Sequence, residues 1–168
     1  LWNEPGNSGY EVKTLPMLKK VFGWAREVNP SQPLTAGLWK WSRAFAPLNA
    51  YQLENSDVIS YHCYDDVEGH KRCVKYMQMM NRPLICTEYM ARRNKSLFQT
   101  VMPMLKENKV MAINWGFISG KTNTIFAWDE PMPDVKEPPL WFHDIYRQDG
   151  TPFSQEEIDT IKSLTGKP

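Results

Sequence analysis

The sequence predicts an α/β fold: the C-terminal portion, about strands 4–8, of a TIM (β/α)8 barrel whose N-terminal strands are missing. Three observations predict it. Short apolar runs of strand length alternate with longer segments of helical periodicity, the signature of parallel β/α units. The strand runs, such as Leu-Ile-Cys-Thr-Glu at 84–88, are continuous rather than alternating, which suits a sheet covered on both faces. The chain opens on Leu-Trp-Asn-Glu-Pro, with no initiator methionine, and holds roughly half of the eight strands that a barrel needs. Residues 1–168 are therefore read as one domain truncated at its N-terminus, with any targeting signal upstream.

Residues 1–3 read as the tail of a strand. Residues 14–29 read as a helix in which Leu15, Leu18, Val21, Phe22, Ala25 and Val28 recur every three or four positions. Thr14 is placed to cap it, Pro16 is tolerated in the first turn, and Asn29-Pro30 ends it. Residues 33–38 form the next strand, followed by a loop with Trp39 and Trp41 and a weak helix over 48–54. Residues 57–64 are a strand, 68–80 a helix, 83–88 a strand, 96–108 a helix bent by Pro103, and 110–115 the last strand. The Pro-rich segment 118–152 is too long for an ordinary connection, and such segments often carry function. Ser154 opens the final helix with a capping box to Glu157, Ile158, Ile161 and Leu164 supply its buried stripe, and Gly166 ends it.

Composition narrows the function. The net charge is +1, from 20 basic and 19 acidic residues, so no basic face invites nucleic acid or an anionic membrane. No run approaches the roughly 18 apolar residues of a membrane span. The three cysteines, Cys63, Cys73 and Cys86, read as buried thiols, although Cys63 and Cys73 could pair. No CxxC or HExxH spacing supports a metal, and no cofactor is implied. An open doubly wound sheet suits the strand count taken alone. It commonly carries a Gly-rich phosphate loop, and neither GxGxxG nor GxxxxGK[ST] occurs. Seven Trp is a high count, and Trp39, Trp41, Trp128 and Trp141 fall in loops, either as core or facing a ligand.

In a barrel the chemistry sits at the C-terminal ends of the strands. Those ends carry Asn3-Glu4, Trp39, His62-Cys63-Tyr64, Glu88-Tyr89 and Asn114-Trp115. Glu4 and Glu88 lie three strands apart and would face each other across a closed mouth. Paired carboxyl groups about 5–5.5 Å apart are what retaining glycoside hydrolysis needs: one protonates the leaving oxygen while the other attacks the anomeric carbon. The first needs a raised pKa and the second must stay ionised.

Here a family resemblance enters. Trp-Asn-Glu-Pro at 2–5 resembles the fourth-strand motif of clan A glycoside hydrolases, which implies Glu4 as acid/base and Asn3 as partner of the 2-hydroxyl. Ile-Cys-Thr-Glu-Tyr at 85–89 resembles the seventh-strand motif, implying Glu88 as nucleophile. His62-x-Tyr64 is similar to the sixth-strand His-x-Tyr of family 5 cellulases and mannanases, where the Tyr hydrogen-bonds the nucleophile. Asn-Trp-Gly at 114–116 resembles the eighth-strand segment, implying Trp115 beneath the cleaved sugar. The four motifs run in order along nearly the whole chain, which is most similar to cellulase-like and "1,4-β-xylanase" members of Bacteroidetes type. The resemblance implies a β-glycan substrate, a monomer when complete, and a periplasmic or extracellular location. Trp39 and Trp128 join the expected substrate-binding set. The family's arginine of strand two and histidine of strand three would lie in the missing half.

Other readings stay open. Glu4 could be a helix-start carboxylate, and His62 a satisfied core histidine. Tyr61 is read as pointing outward into the helix layer. Arg92, Arg93 and Lys95 read as a solvated basic face, and residues 119–123 as a substrate-contacting loop rather than a phosphate loop. Whole-chain alternatives are a non-catalytic carbohydrate-binding fragment, or a different barrel enzyme using Cys86 or a metal.

Overall fold

A computed structural model describes residues 1–166. The chain is mixed α/β around a three-stranded parallel sheet of β1 (Ile59–His62), β2 (Leu84–Glu88) and β3 (Met111–Ala112), in that order. The helices are α1 (Leu15–Val28), α2 (Ala46–Asn55), α3 (Val67–Gln78), α4 (Phe98–Glu107) and α5 (Gln155–Thr165). Each predicted helix forms within a few residues of its expected bounds.

Three expected strands are shorter than their apolar runs. In the 33–38 segment only Leu38 pairs, as an isolated parallel bridge to Tyr61. Side chains take the place of its ladder bonds: Thr35 Oγ1 accepts from Ser60 N at 3.1 Å, and Asp57 Oδ2 accepts from Leu34 N at 2.7 Å. The 110–115 segment pairs on one side only, and Met111 and Ile113, which share one face of the strand, are 58% and 47% exposed. The 1–3 segment lies along the 33–38 segment through two backbone bonds, from the Leu1 amino group to Thr35 O and from Gly37 N to Trp2 O at 3.1 Å. Even so, the strand segments lie side by side in chain order, from residue 2 through 37, 61 and 86 to 112.

The helices end for local reasons. A 3-10 turn, Glu11–Thr14, runs straight into α1, so the Thr14 hydroxyl donates back to Glu11 O instead of capping the helix. Asn29 closes α1 in the left-handed region at φ 51°. Asp66 caps α3 by accepting from Gly69 N at 3.0 Å. Ser154 caps α5, and Gly166 ends it at φ 68°. Pro103 sits inside α4 as expected.

Two clusters make the core. The larger packs Leu38, Ile59, Tyr61 and Cys86 of the sheet against Met77 of α3 and Leu105 of α4. Tyr61 is buried among these helical side chains. The smaller joins Leu18 and Phe22 of α1 to Leu34, Ala36, Phe45 and Leu48. Each fully buried Leu, Ile, Phe or Met among them stabilises the fold by roughly 1.5–3 kcal/mol. All three cysteines are buried free thiols.

The basic run corrects an expectation. Arg92 is buried, not solvated. It donates from Nε and Nη2 to the Glu157 carboxylate at 2.8 and 2.6 Å, and to the carbonyls of Trp141 and Asp144 at 3.0 and 2.9 Å. This clamp ties the segment after β2, the end of the Pro-rich segment and α5 together. Five donors in a planar fork let one arginine do it where a lysine could not. Arg93 is half-exposed and pairs with Asp129 and Glu130.

Candidate active site

The site begins at a break in strand register. Tyr61 pairs with Cys86, yet His62 pairs with Glu88, so Thr87 is an extra residue on β2. A bulge of this kind re-aims the following side chain, and it brings Glu88 beside His62. His62 is buried, with Nδ1 2.8 Å from Glu4 Oε1 and 3.3 Å from Glu88 Oε2. Tyr64, two residues on, donates its hydroxyl to Glu88 Oε2 at 2.7 Å.

Glu4 reaches this point through an unusual backbone. It sits at φ 45°, in the left-handed region, although it carries a long side chain and precedes Pro5. A residue before proline is normally extended, and a left-handed non-glycine costs on the order of 1–2 kcal/mol. Such strain clusters at functional positions. The turn is closed by Asn7 N donating to Glu4 O at 3.1 Å, while Asn7 Nδ2 donates to Glu4 Oε2 at 2.7 Å. A side chain on Gly37 would put its Cβ 3.3 Å from His62 Nε2, so glycine there leaves room for the imidazole.

One nitrogen or oxygen atom from each of Glu4, His62 and Glu88 lies within 4.8 Å of the others. Together these atoms could also hold a cation, for which Nδ1 would have to lose the proton it directs at the carboxylates.

A cleft of about 600 Å³ opens above the carboxylates. Asn3, Glu4, Trp39, Tyr64, Glu88, Trp115 and Trp128 all line it. His62 lies behind it, against a neighbouring pocket shared with Asn3 and Glu88. Trp39 is fixed by donating Nε1–H to Pro5 O at 3.1 Å, and Trp128 stands edge-on to Tyr64 with ring centres 4.7 Å apart. Trp115 is 47% exposed. The other two loop tryptophans go elsewhere: Trp41 packs on Tyr76, and Trp141 is buried against Phe153.

The cleft also contains residues the sequence did not single out: Asn7, Thr124, Phe126 and His143. Thr122 and Asn123, from the loop expected to contact substrate, are there too. His143 gave no sequence signal, because nothing local marks a histidine in the Pro-rich segment as facing this cleft.

Burial raises the Glu88 pKa above the ordinary carboxylate value. The Tyr64 hydroxyl and His62 oppose that shift, and Glu4 adds to it. The raised group is thus the expected nucleophile rather than the expected acid, so this shift does not assign the two roles.

Comparison of the chain with protein-family models, with curated proteins and with solved structures finds no match.

Proposed function

We propose that the chain carries the active site of a retaining glycoside hydrolase that cleaves β-glycosidic bonds. The observation that carries this reading is the pairing of Glu4 and Glu88 around His62, within 4.8 Å, on the floor of a cleft walled by Trp39, Trp115 and Trp128. With one oxygen of each carboxylate within 4.8 Å of the other, the pair fits the roughly 5–5.5 Å spacing at which one carboxylate attacks directly. An inverting site leaves roughly 6.5–9.5 Å for a water. The aromatic walls suit the flat C–H faces of sugar rings.

In this reading Glu88 attacks the anomeric carbon as the bond to the leaving oxygen breaks, and Glu4 gives that oxygen its proton. Water then opens the glycosyl ester, and Glu4 takes the water's proton back. Tyr64 holds Glu88 in place through its hydrogen bond. The roles follow the motif resemblance, with Glu4 after Asn3 and Glu88 at the end of β2. We further propose that the side-by-side parallel segments are about strands 4–8 of a (β/α)8 barrel. The unpaired edge of β3 is where an earlier strand would close it.

The test is turnover of a β-glycan panel by the full-length protein. Glu88→Ala lowers kcat/KM by several orders of magnitude, and unchanged turnover refutes the assignment. Glu4→Ala is rescued by azide on activated aryl glycosides, because a good leaving group does not need the acid and azide opens the glycosyl ester without a base. Sugar binding by calorimetry without release of reducing ends identifies a non-catalytic carbohydrate-binding protein instead.

A further inference from the structure

His143 is fully buried in the wall of the cleft. Its ring centre lies 5.3 Å from Tyr64, 5.2 Å from Trp128 and 4.4 Å from Phe142. Its Nδ1 is 2.6 Å from the carbonyl oxygen of Met90. A carbonyl only accepts, so Nδ1 carries the proton and Nε2 a lone pair. That Nε2 has no hydrogen-bond partner. Buried acceptors without a donor are rare in folded proteins, and each calls for an explanation.

We propose that His143 Nε2 is a recognition group of this cleft, accepting a hydrogen bond from a hydroxyl of a neutral sugar bound beside Tyr64. The inference rests on the carbohydrate reading of the same site and adds to it a class of ligand. An acceptor with no proton to give selects a donor. It disfavours a uronate carboxylate or an ether oxygen at that position. Burial pushes the imidazole pKa down to about 4, so it remains an acceptor at neutral pH. A hydroxyl reaches Nε2 only when one ring of the wall shifts. Phe142 is 2% exposed and Tyr64 is tied to Glu88, whereas Trp128 is 59% exposed and is the ring able to yield.

The experiment is a binding titration on full-length Glu88→Gln protein, in which binding is read without turnover. The probes are β-1,4-linked trimers of glucose, mannose and xylose, and a trimer of β-1,4-linked mannuronate. His143→Asn keeps an amide N–H for Met90 and removes the Nε2 position. His143→Gln places an amide oxygen near that position. At least one neutral trimer binds, and the mannuronate trimer binds at least tenfold more weakly. His143→Asn weakens the neutral trimer roughly fivefold to tenfold, and His143→Gln recovers most of the loss. In ¹⁵N spectra of the His143-containing protein, the Nε2 resonance moves upfield on saturation while Nδ1 stays protonated.

Equal binding by a folded His143→Asn variant overturns the proposal. So does an Nε2 resonance that stays put on saturation, or the failure of every neutral trimer to bind. The spectra decide the matter even if the Asn variant does not fold. The hydrolase reading fails separately, if Glu88→Gln leaves turnover of aryl β-glycosides unchanged.

Discussion

The Tyr64 hydroxyl donates to Glu88 Oε2 at 2.7 Å, joining the end of β1 to the end of β2 across the bulge at Thr87. This bond favours the ionised carboxylate and opposes the effect of burial. Tyr64→Phe therefore raises the Glu88 pKa further. The acidic limb of the kcat/KM profile moves to higher pH, and turnover falls about 10- to 100-fold, the worth of a hydrogen bond to a charged group. A profile with an unmoved acidic limb shows that Tyr64 does not act through Glu88.

Glu88 also sets a pH dependence of stability. Its pKa is raised in the folded state from an ordinary value of 4.5, so the fold favours the protonated form. That contribution is fully present below the unfolded value and is lost as pH rises through the folded one. Glu88→Gln is permanently neutral, so its thermal midpoint exceeds that of the parent at pH 7. The gap closes as pH falls through the raised folded value towards about 4.5. Thermal unfolding over this pH range tests it, and a constant gap contradicts it.

The Arg92–Glu157 pair is buried on both sides, at 3% and 5% side-chain exposure. Removing one partner leaves an uncompensated buried charge, so Glu157→Ala destabilises by about 3–5 kcal/mol in denaturant titrations. Because the same arginine binds the carbonyls of Trp141 and Asp144, the variant also loosens the segment carrying His143. Hydrogen exchange over residues 141–145 speeds up relative to β1.

The thiols test the competing chemistry. Cys86 is buried, and burial pushes its pKa up to about 12. Alkylation of the native protein is therefore slow, and it leaves turnover intact. EDTA is likewise without effect under the proposed mechanism, in which Glu4 and Glu88 act on the sugar without a metal. Loss of activity with either reagent favours a thiol or a metal at the trio of Glu4, His62 and Glu88.

The sequence by itself determined the order and type of the helices and the apolar runs, because helical periodicity and caps such as Ser154 are local properties. It also marked Asn3, Glu4, Trp39, Tyr64, Glu88 and Trp115, polar and aromatic residues at the ends of apolar runs, and the loop residue Trp128, all of which the fold brings to one cleft. Tertiary structure decided the rest. The extra residue at Thr87 and the left-handed backbone of Glu4 carry no sequence mark, yet they set the distance between the carboxylates. Arg92 looked like part of a solvated basic run until Glu157, 65 positions away, drew it inside. His143 became a cleft residue through Met90, 53 positions earlier. The physical reason is common to all four. The fate of a charged or polar side chain depends on partners that only folding brings within hydrogen-bond distance, and the single chain written in order does not reveal them.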